Sequence, residues 1–299
     1  MSARTAAVTS GSEKTAGRSR LTSNRRFASG RRPGRLRPRE ARFSHTSANR
    51  SSHFPTIADA WTFLTDAKIT TAATVTIQLA PERYDLKAPL RLDRADSGRI
   101  EAEQCKVETA SRRGVGTGFQ SHLNGTMELV RCTAVKSKRD DNWSAGFVAG
   151  TGGYLGCESC EASGWDHGFL AHLSSFLWLT RCTSKDNGSG LTAASGSSAT
   201  ADDCEFTGDA DWAVKAANRG SMLIRGCTLS KSACGCCAMS NSDVLFASRP
   251  SQISGCTAAA FQSRGGGTFD GLKPTLTDDR GEFNLLPATT PTDQVFFWE

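Results

Sequence analysis

Six ten-residue stretches decide the fold: GRIEAEQCKV (98–107), GTMELVRCTA (125–134), GYLGCESCEA (153–162), SFLWLTRCTS (175–184), SSATADDCEF (197–206) and GSMLIRGCTL (220–229). A looser seventh, PSQISGCTA (250–258), follows them. Each carries one cysteine anchor: Cys105, Cys132, Cys160, Cys182, Cys204, Cys227 and Cys256, at intervals of 27, 28, 22, 22, 23 and 29 residues. Gly or Ser stands seven positions before each of the first six anchors. Apolar residues then alternate, as in Ile100 and Ala102, Met127 and Leu129, Leu155 and Cys157, or Leu177 and Leu179. Alternation at period two is the mark of strands. A register held over six units is an internal repeat, and its length selects the architecture.

A second alternating run recurs at the same pitch: AGFVAG from Ala145, HGFLAH from His167, SGLTAA from Ser189, DWAVKA from Asp211 and GCCAMS from Gly235. Each unit therefore holds two or three short strands separated by Gly, Asn, Asp and Ser turns. A unit of this size is one coil of a parallel β-helix, in which stacked coils bury each other's inward residues and pair backbones ~4.8 Å apart. Leucine-rich repeats of similar length need fixed Leu and Asn positions and a helical return, both missing here; a propeller blade needs roughly forty residues. The expected fold is all-β, a right-handed parallel β-helix with coils over 98–264.

The 299 residues carry a formal charge of +6 that is unevenly placed. Residues 1–53 hold 13 Lys and Arg against 2 Glu, or +11, which leaves 23 basic against 28 acidic residues elsewhere, or −5. This segment is rich in Ser, Thr, Arg and Gly and poor in bulky apolar residues, so it cannot bury enough surface to fold alone. It reads as a basic arm, disordered or bound in an assembly, with Arg25, Arg26, Arg31, Arg32, Arg35, Arg37 and Arg39 as its contacts. Phosphate contact with nucleic acid, an acidic neighbour in an assembly and a transit-peptide role all remain open for it. No apolar run is long enough to span a membrane.

From residue 54 the composition changes. Ile57, Ala60, Trp61, Leu64 and Ala67 are spaced for an amphipathic helix that would cap the solenoid, and Val75, Ile77 and Leu79 alternate as a first strand. Residues 54–97 are thus expected to form the N-terminal cap. After Arg264 the repeat fades, and 265–299, ending on Val295, Phe296, Phe297 and Trp298, are expected to cap the last coil or meet another subunit.

VTIQLAPERYDLKAPLRL (75–92) followed by NGSGLTAASGSSATADDCEF (187–206) carries a more specific likeness. Over roughly 54–265 the chain resembles the β-helical region of bacteriophage tail-fibre and tailspike proteins and their prophage relatives, within the pectate-lyase-like superfamily. The resemblance implies a virion component assembled in the host cytoplasm, frequently a homotrimer, with other virion proteins and host surface polysaccharide as partners. The superfamily hosts enzymes, adhesins and purely structural proteins, so activity has to be argued from the site.

The seven anchoring cysteines fall in one register and are expected to form an inward column, reduced and packing as small hydrophobes. Cys157 reads as a second core residue. Cys234, Cys236 and Cys237 lack the His or second CxxC that zinc would require, so no metal site is assigned and no cofactor is expected, calcium being the one ion the acidic corners suggest. Catalytic candidates lie at the corner before the second alternating run: Asp166, His167, Asp186 and Asp209, an acidic ridge with one histidine. Tight turns favour Asp and Asn for backbone reasons alone. The segments typical of polygalacturonases are absent, and Trp165-Asp166-His167-Gly168 is only a faint echo of one. Trp165 and Trp212, with Asp211, are the candidate glycan contacts, and Trp178 should point outward by alternation.

The expected function is a non-enzymatic virion structural protein of the tail-fibre, tailspike or head-decoration type, tethered by its arm. Two alternatives stand beside it: a polysaccharide lyase or glycoside hydrolase acting through the acidic ridge, and a glycan-binding adhesin.

Overall fold

A computed structural model describes the strands Ala6–Ser10, Ala41–His45, Arg50–Phe54 and Ala73–Gln78, residues 98–109, 116–137 and 143–277, and the strands Phe283–Leu285 and Gln294–Trp298, with side chains between residues 101 and 277. Each coil contributes three strands to three parallel sheets. In the coil of Cys182, Phe176–Thr180 lies in sheet 1, Thr183–Lys185 in sheet 2 and Ser189–Ala194 in sheet 3. Each pairs in parallel with the coils on either side. Leu177 sits between Leu155 and Ala199, Ser184 between Ala162 and Phe206, and Leu191 between Phe169 and Val214. The alternation read from the sequence is the alternation of burial: Leu177 and Leu179 are buried while Trp178 between them is 41% exposed.

The core is a set of columns one coil apart. Phe119, Phe147 and Phe169 stack face to face in sheet 3 at 5.1 and 4.9 Å, and the column continues through Leu191, Val214, Cys236 and Phe261. The corners are made by left-handed residues. Two come in succession between sheets 3 and 1, as in Leu173-Ser174, Asn218-Arg219 and Gly265-Gly266, and one between sheets 1 and 2, as in Arg131, Arg181 and Asp203. Leu, Arg and Asp accept this conformation here because the coil above fixes each corner; Gly164 shows the limit, since its φ is +78° and a Cβ would meet the Lys136 carbonyl oxygen at 2.0 Å.

Three expectations change at this level. Cys256 does not belong to the cysteine column: the seventh place, between sheets 1 and 2, is taken by Ser251, whose hydroxyl accepts the Cys227 N–H at 3.1 Å. That place does the same work in earlier coils, where Cys204 Sγ accepts the Cys182 N–H and Cys227 Sγ the Cys204 N–H, both at 3.4 Å. A thiol or a hydroxyl serves equally as acceptor, so matching cysteine letters displaced the register by one corner. Second, strand pairing continues past Arg264. Phe283–Leu285 joins sheet 3 beside Ala259–Arg264, and Gln294–Trp298 joins sheet 1 beside Thr268–Leu272, with Phe296 opposite Asp270. The apolar terminus thus docks as a strand on the last coil. Third, the arm segment Ala6–Ser10 pairs antiparallel between Gly98–Glu103 and Ala73–Gln78, and Ala41–His45 and Arg50–Phe54 extend the same sheet. The capping helix expected over 57–67 and the arginines from Arg25 to Arg39 lie outside the described residues.

Candidate functional site

The corner from sheet 2 to sheet 3 is where the sequence placed its acids. Sheet 2 strands end in a left-handed residue, Gly164, Asp186, Gly208, Lys231 or Gly255, and the next residue turns inward: Trp165, Asn187, Asp209, Ser232 and Cys256, all buried. This inward column finds room beneath small residues of sheet 3; a Cβ on Gly190 would meet Asp209 Oδ2 at 2.5 Å, and one on Gly235 would meet Cys256 Sγ at 3.3 Å.

The column is a polar ladder along the solenoid axis. The Trp165 N–H donates to Asn187 Oδ1 at 2.8 Å, and the Asn187 N–H donates to Asp209 Oδ1 at 3.0 Å. Asn187 Nδ2 donates to the Ala162 carbonyl at 3.1 Å and to Ser184 Oγ at 2.8 Å, and the Ser184 hydroxyl donates to Asp209 Oδ1 at 3.3 Å. Asp209 Oδ2 is buried with no hydrogen-bond partner among the described residues. Burial pushes its carboxyl up to about 7, against the opposing hydrogen bonds from Asn187 and Ser184. Asp209 is therefore no member of an exposed ridge, which corrects the sequence expectation. Trp165 is corrected likewise: it is 1% exposed, its Nε1–H donates to the Ala134 carbonyl at 3.1 Å, and no glycan reaches it.

The other ridge candidates are partly exposed and tied to different neighbours. Asp166 Oδ2 accepts the Ser144 hydroxyl at 3.1 Å, and the same Ser144 oxygen receives the buried Lys136 ammonium at 3.0 Å. His167 Nδ1 lies 3.0 Å from Thr192 Oγ1, and burial, Lys215 and His172 lower its pKa to about 4, so it is neutral at pH 7. Asp186 is exposed on its left-handed corner. Asp211 is exposed too; it is one extra residue in its coil, since Ser189 pairs with Trp212 while the Asp211 N–H donates to the Gly188 carbonyl. Among the described residues no three His, Cys, Asp or Glu side chains are grouped to hold a metal ion.

His167 and Trp212 bring the reading onto the outer face of sheet 3. Trp212 is half-buried; its Nε1–H donates to Gln262 Oε1 at 3.1 Å across two coils, and Lys215 Nζ stands 4.0 Å from the ring centroid. Burial lowers the Lys215 pKa against the pull of Cys237 and Asp211, and burial pushes the Cys237 thiol up to about 12. The sequence offered Trp212, Asp211 and His167 here but missed Lys215 in the run of Trp212 itself, and Thr192 and Gln262, which come from two other runs and reach the site only through coil stacking. Outer sheet 1 carries a second aromatic strip: Tyr154 stacks on Phe176 at 5.8 Å, and Phe176 meets Trp178 edge-on at 6.3 Å.

Three parallel sheets wound by one chain, one strand of each per coil, define a β-solenoid. The chain belongs to the family described as the right handed beta helix region, whose model matches residues 122–277. Comparison with curated proteins and with solved structures gives no match.

Proposed function

We propose that the protein is a non-enzymatic structural β-helix, a virion component of a tailed phage or prophage, with its basic arm as the tether to neighbouring virion proteins or nucleic acid and its outer faces turned to other subunits or to host glycan. One observation carries the non-enzymatic part. The carboxylate deepest in the candidate ridge, Asp209, is spent on the coil-to-coil ladder with Asn187 and Ser184, and Asp166 is held by Ser144. General acid–base hydrolysis needs two carboxyls facing one substrate bond; of the three ridge carboxylates Asp209 faces the interior, and Asp166 and Asp186 are left on the surface, Asp166 tied to Ser144. The virion assignment rests on the tail-fibre resemblance of 75–92 and 187–206 and on the charge contrast between arm and body.

Two measurements test the reading. Mass spectrometry of purified particles is expected to find the chain, and its absence from them overturns the virion assignment. Incubation of the protein with bacterial surface polysaccharide is expected to release neither reducing ends nor unsaturated uronate; release that disappears in Asp166→Ala would establish the lyase or hydrolase reading instead. Contact with glycan is a second reading, favoured by the half-exposed Trp212 beside Lys215 and Asp211 and by Trp178 on sheet 1.

A further inference from the structure

On the rim of sheet 3, at its C-terminal edge, one outward position per coil forms a row. Successive coils place His122, Gly150, His172, Ala194, Ala217, Met239 and Arg264 there, since Ala149 pairs with Ser121, Gly150 with His172, Ala194 with Ala217 and Met239 with Arg264. Gly150 is the one glycine in this row, and it stands between the two histidines. Both imidazoles lean into the space it leaves. From the point a Gly150 Cβ would occupy, His172 Nε2 is 2.9 Å away and His122 Cδ2 is 3.2 Å away. Two atoms that close to one point are at most 6.1 Å apart (2.9 + 3.2), although their strands are two coils apart.

The polar partners complete a small donor set. His122 Nε2 lies 2.8 Å from Thr151 Oγ1, the residue after Gly150. His172 makes no hydrogen bond to the described residues; its ring meets Trp143, tilted at 57° with centroids 6.1 Å apart. Both histidines are partly exposed, as is Trp143 at 39%. Neutral imidazole nitrogens are the preferred ligands of borderline divalent ions such as Zn²⁺ and Ni²⁺, and two imidazole rings that meet over one small hollow, with solvent filling the remaining positions, can supply an open chelate.

We propose that His122 and His172, converging over Gly150 with the Thr151 hydroxyl beside them, form a surface site for a divalent transition-metal ion. A side chain at position 150 would close the hollow, so the glycine is part of the site. The proposal is independent of the virion reading, and the site needs no residue of the corner ladder.

The test uses the full chain and each metal alone. Titration with Zn²⁺ followed by calorimetry is expected to give one site per chain, and Ni²⁺ is expected to quench the fluorescence of Trp143 beside His172, an effect absent in Trp143→Phe. His122→Ala and His172→Ala should each weaken Zn²⁺ binding at least tenfold, and Gly150→Ala should weaken it while leaving the far-ultraviolet circular dichroism unchanged. Both histidines are partly exposed, so these variants should fold. Unchanged affinity in both histidine variants overturns the proposal. So does binding that is lost on blocking the thiols but kept in the double histidine variant.

Discussion

At the scale of single residues, Asp209 is the residue whose chemistry departs furthest from its letter. Its Oδ1 completes the ladder, and its buried Oδ2 has no hydrogen-bond partner among the described residues. The folded pKa, about 7, lies above the ordinary value of 3.8. The native state therefore holds a proton that the unfolded chain has released between these two values. The contribution of Asp209 to stability is then largest below pH 4, falls as pH rises towards 7, and stays at the lower level above it. Asp209→Asn removes the ionisable group and supplies an Nδ2 that can donate to the Ser184 carbonyl, as Asn187 does to Ala162 one coil earlier. Urea denaturation is expected to show this variant gaining on the parent as pH rises from 4 to 7, by on the order of 2–4 kcal/mol at pH 8. A variant less stable than the parent at pH 8 would show that the carboxylate is needed in its charged form.

The legibility of the sequence divides along the same line. Leu155, Leu177 and Leu179 announced their strands because burial alternates along sheet 1, and the cysteine column followed from the same register. Asp209 and Asp166 could not be told apart by letter: both precede sheet 3, yet one enters the coil and the other leaves it. That choice depends on the left-handed residue before each inward position, Gly208 for Asp209 and Gly164 for Trp165. Trp165 was misplaced for the same reason. A signal did exist in the spacing, since Trp165, Asn187 and Asp209 are 22 residues apart, the pitch of the coils themselves. The outer face of sheet 3 was less legible still, because Trp212 and Gln262 are 50 residues apart and meet only across two coils.

At the scale of the element, corners and not strands set the tolerance of the repeat. Gly164 and Gly255 occupy equivalent left-handed corners after sheet 2, with φ of +78° and +64°. Both substitutions to alanine incur the left-handed penalty of about 1 kcal/mol. Only Gly164 lies against backbone: its Cβ would stand 2.0 Å from the Lys136 carbonyl oxygen, at the end of the long coil, whereas the nearest atom to Gly255 is Lys231 Cγ at 3.8 Å. Gly164→Ala is expected to lose at least about 3 kcal/mol by denaturant unfolding, and Gly255→Ala about 1 kcal/mol. Equal losses would mean that backbone conformation, and not the approach of the neighbouring coil, decides these positions. The cysteine corners are softer. Ser251 already performs there with a hydroxyl what Cys204 and Cys227 perform with a thiol.

At the scale of the whole molecule, a solenoid is a stack of nearest neighbours with two open ends, and each end presents unpaired backbone. The last coil is covered in sheet 1 by Gln294–Trp298 and in sheet 3 by Phe283–Leu285. The first coil is covered in sheet 1 by Ala6–Ser10, running antiparallel to Gly98–Glu103 with Val8 opposite Ile100. Antiparallel pairing ends the parallel propagation that would otherwise let one molecule's first coil receive another's last. Within the arm, Ala6–Ser10 is thus the strand that covers the sheet 1 edge of the first coil, with Ala73–Gln78 on its other side. Deleting residues 1–10 removes this strand and a single basic side chain, Arg4, while the shortened chain keeps an N-terminal amine, so electrostatics are nearly preserved. The shortened chain is expected to associate with rising concentration, measured by light scattering after size exclusion, while its circular dichroism keeps the β-sheet signal of the coils. Association should not reverse on raising the salt, because backbone pairing is not screened as charge is. A shortened chain that stays at the parent's mass over the same concentrations would show that the edge of Gly98–Glu103 is protected by other means.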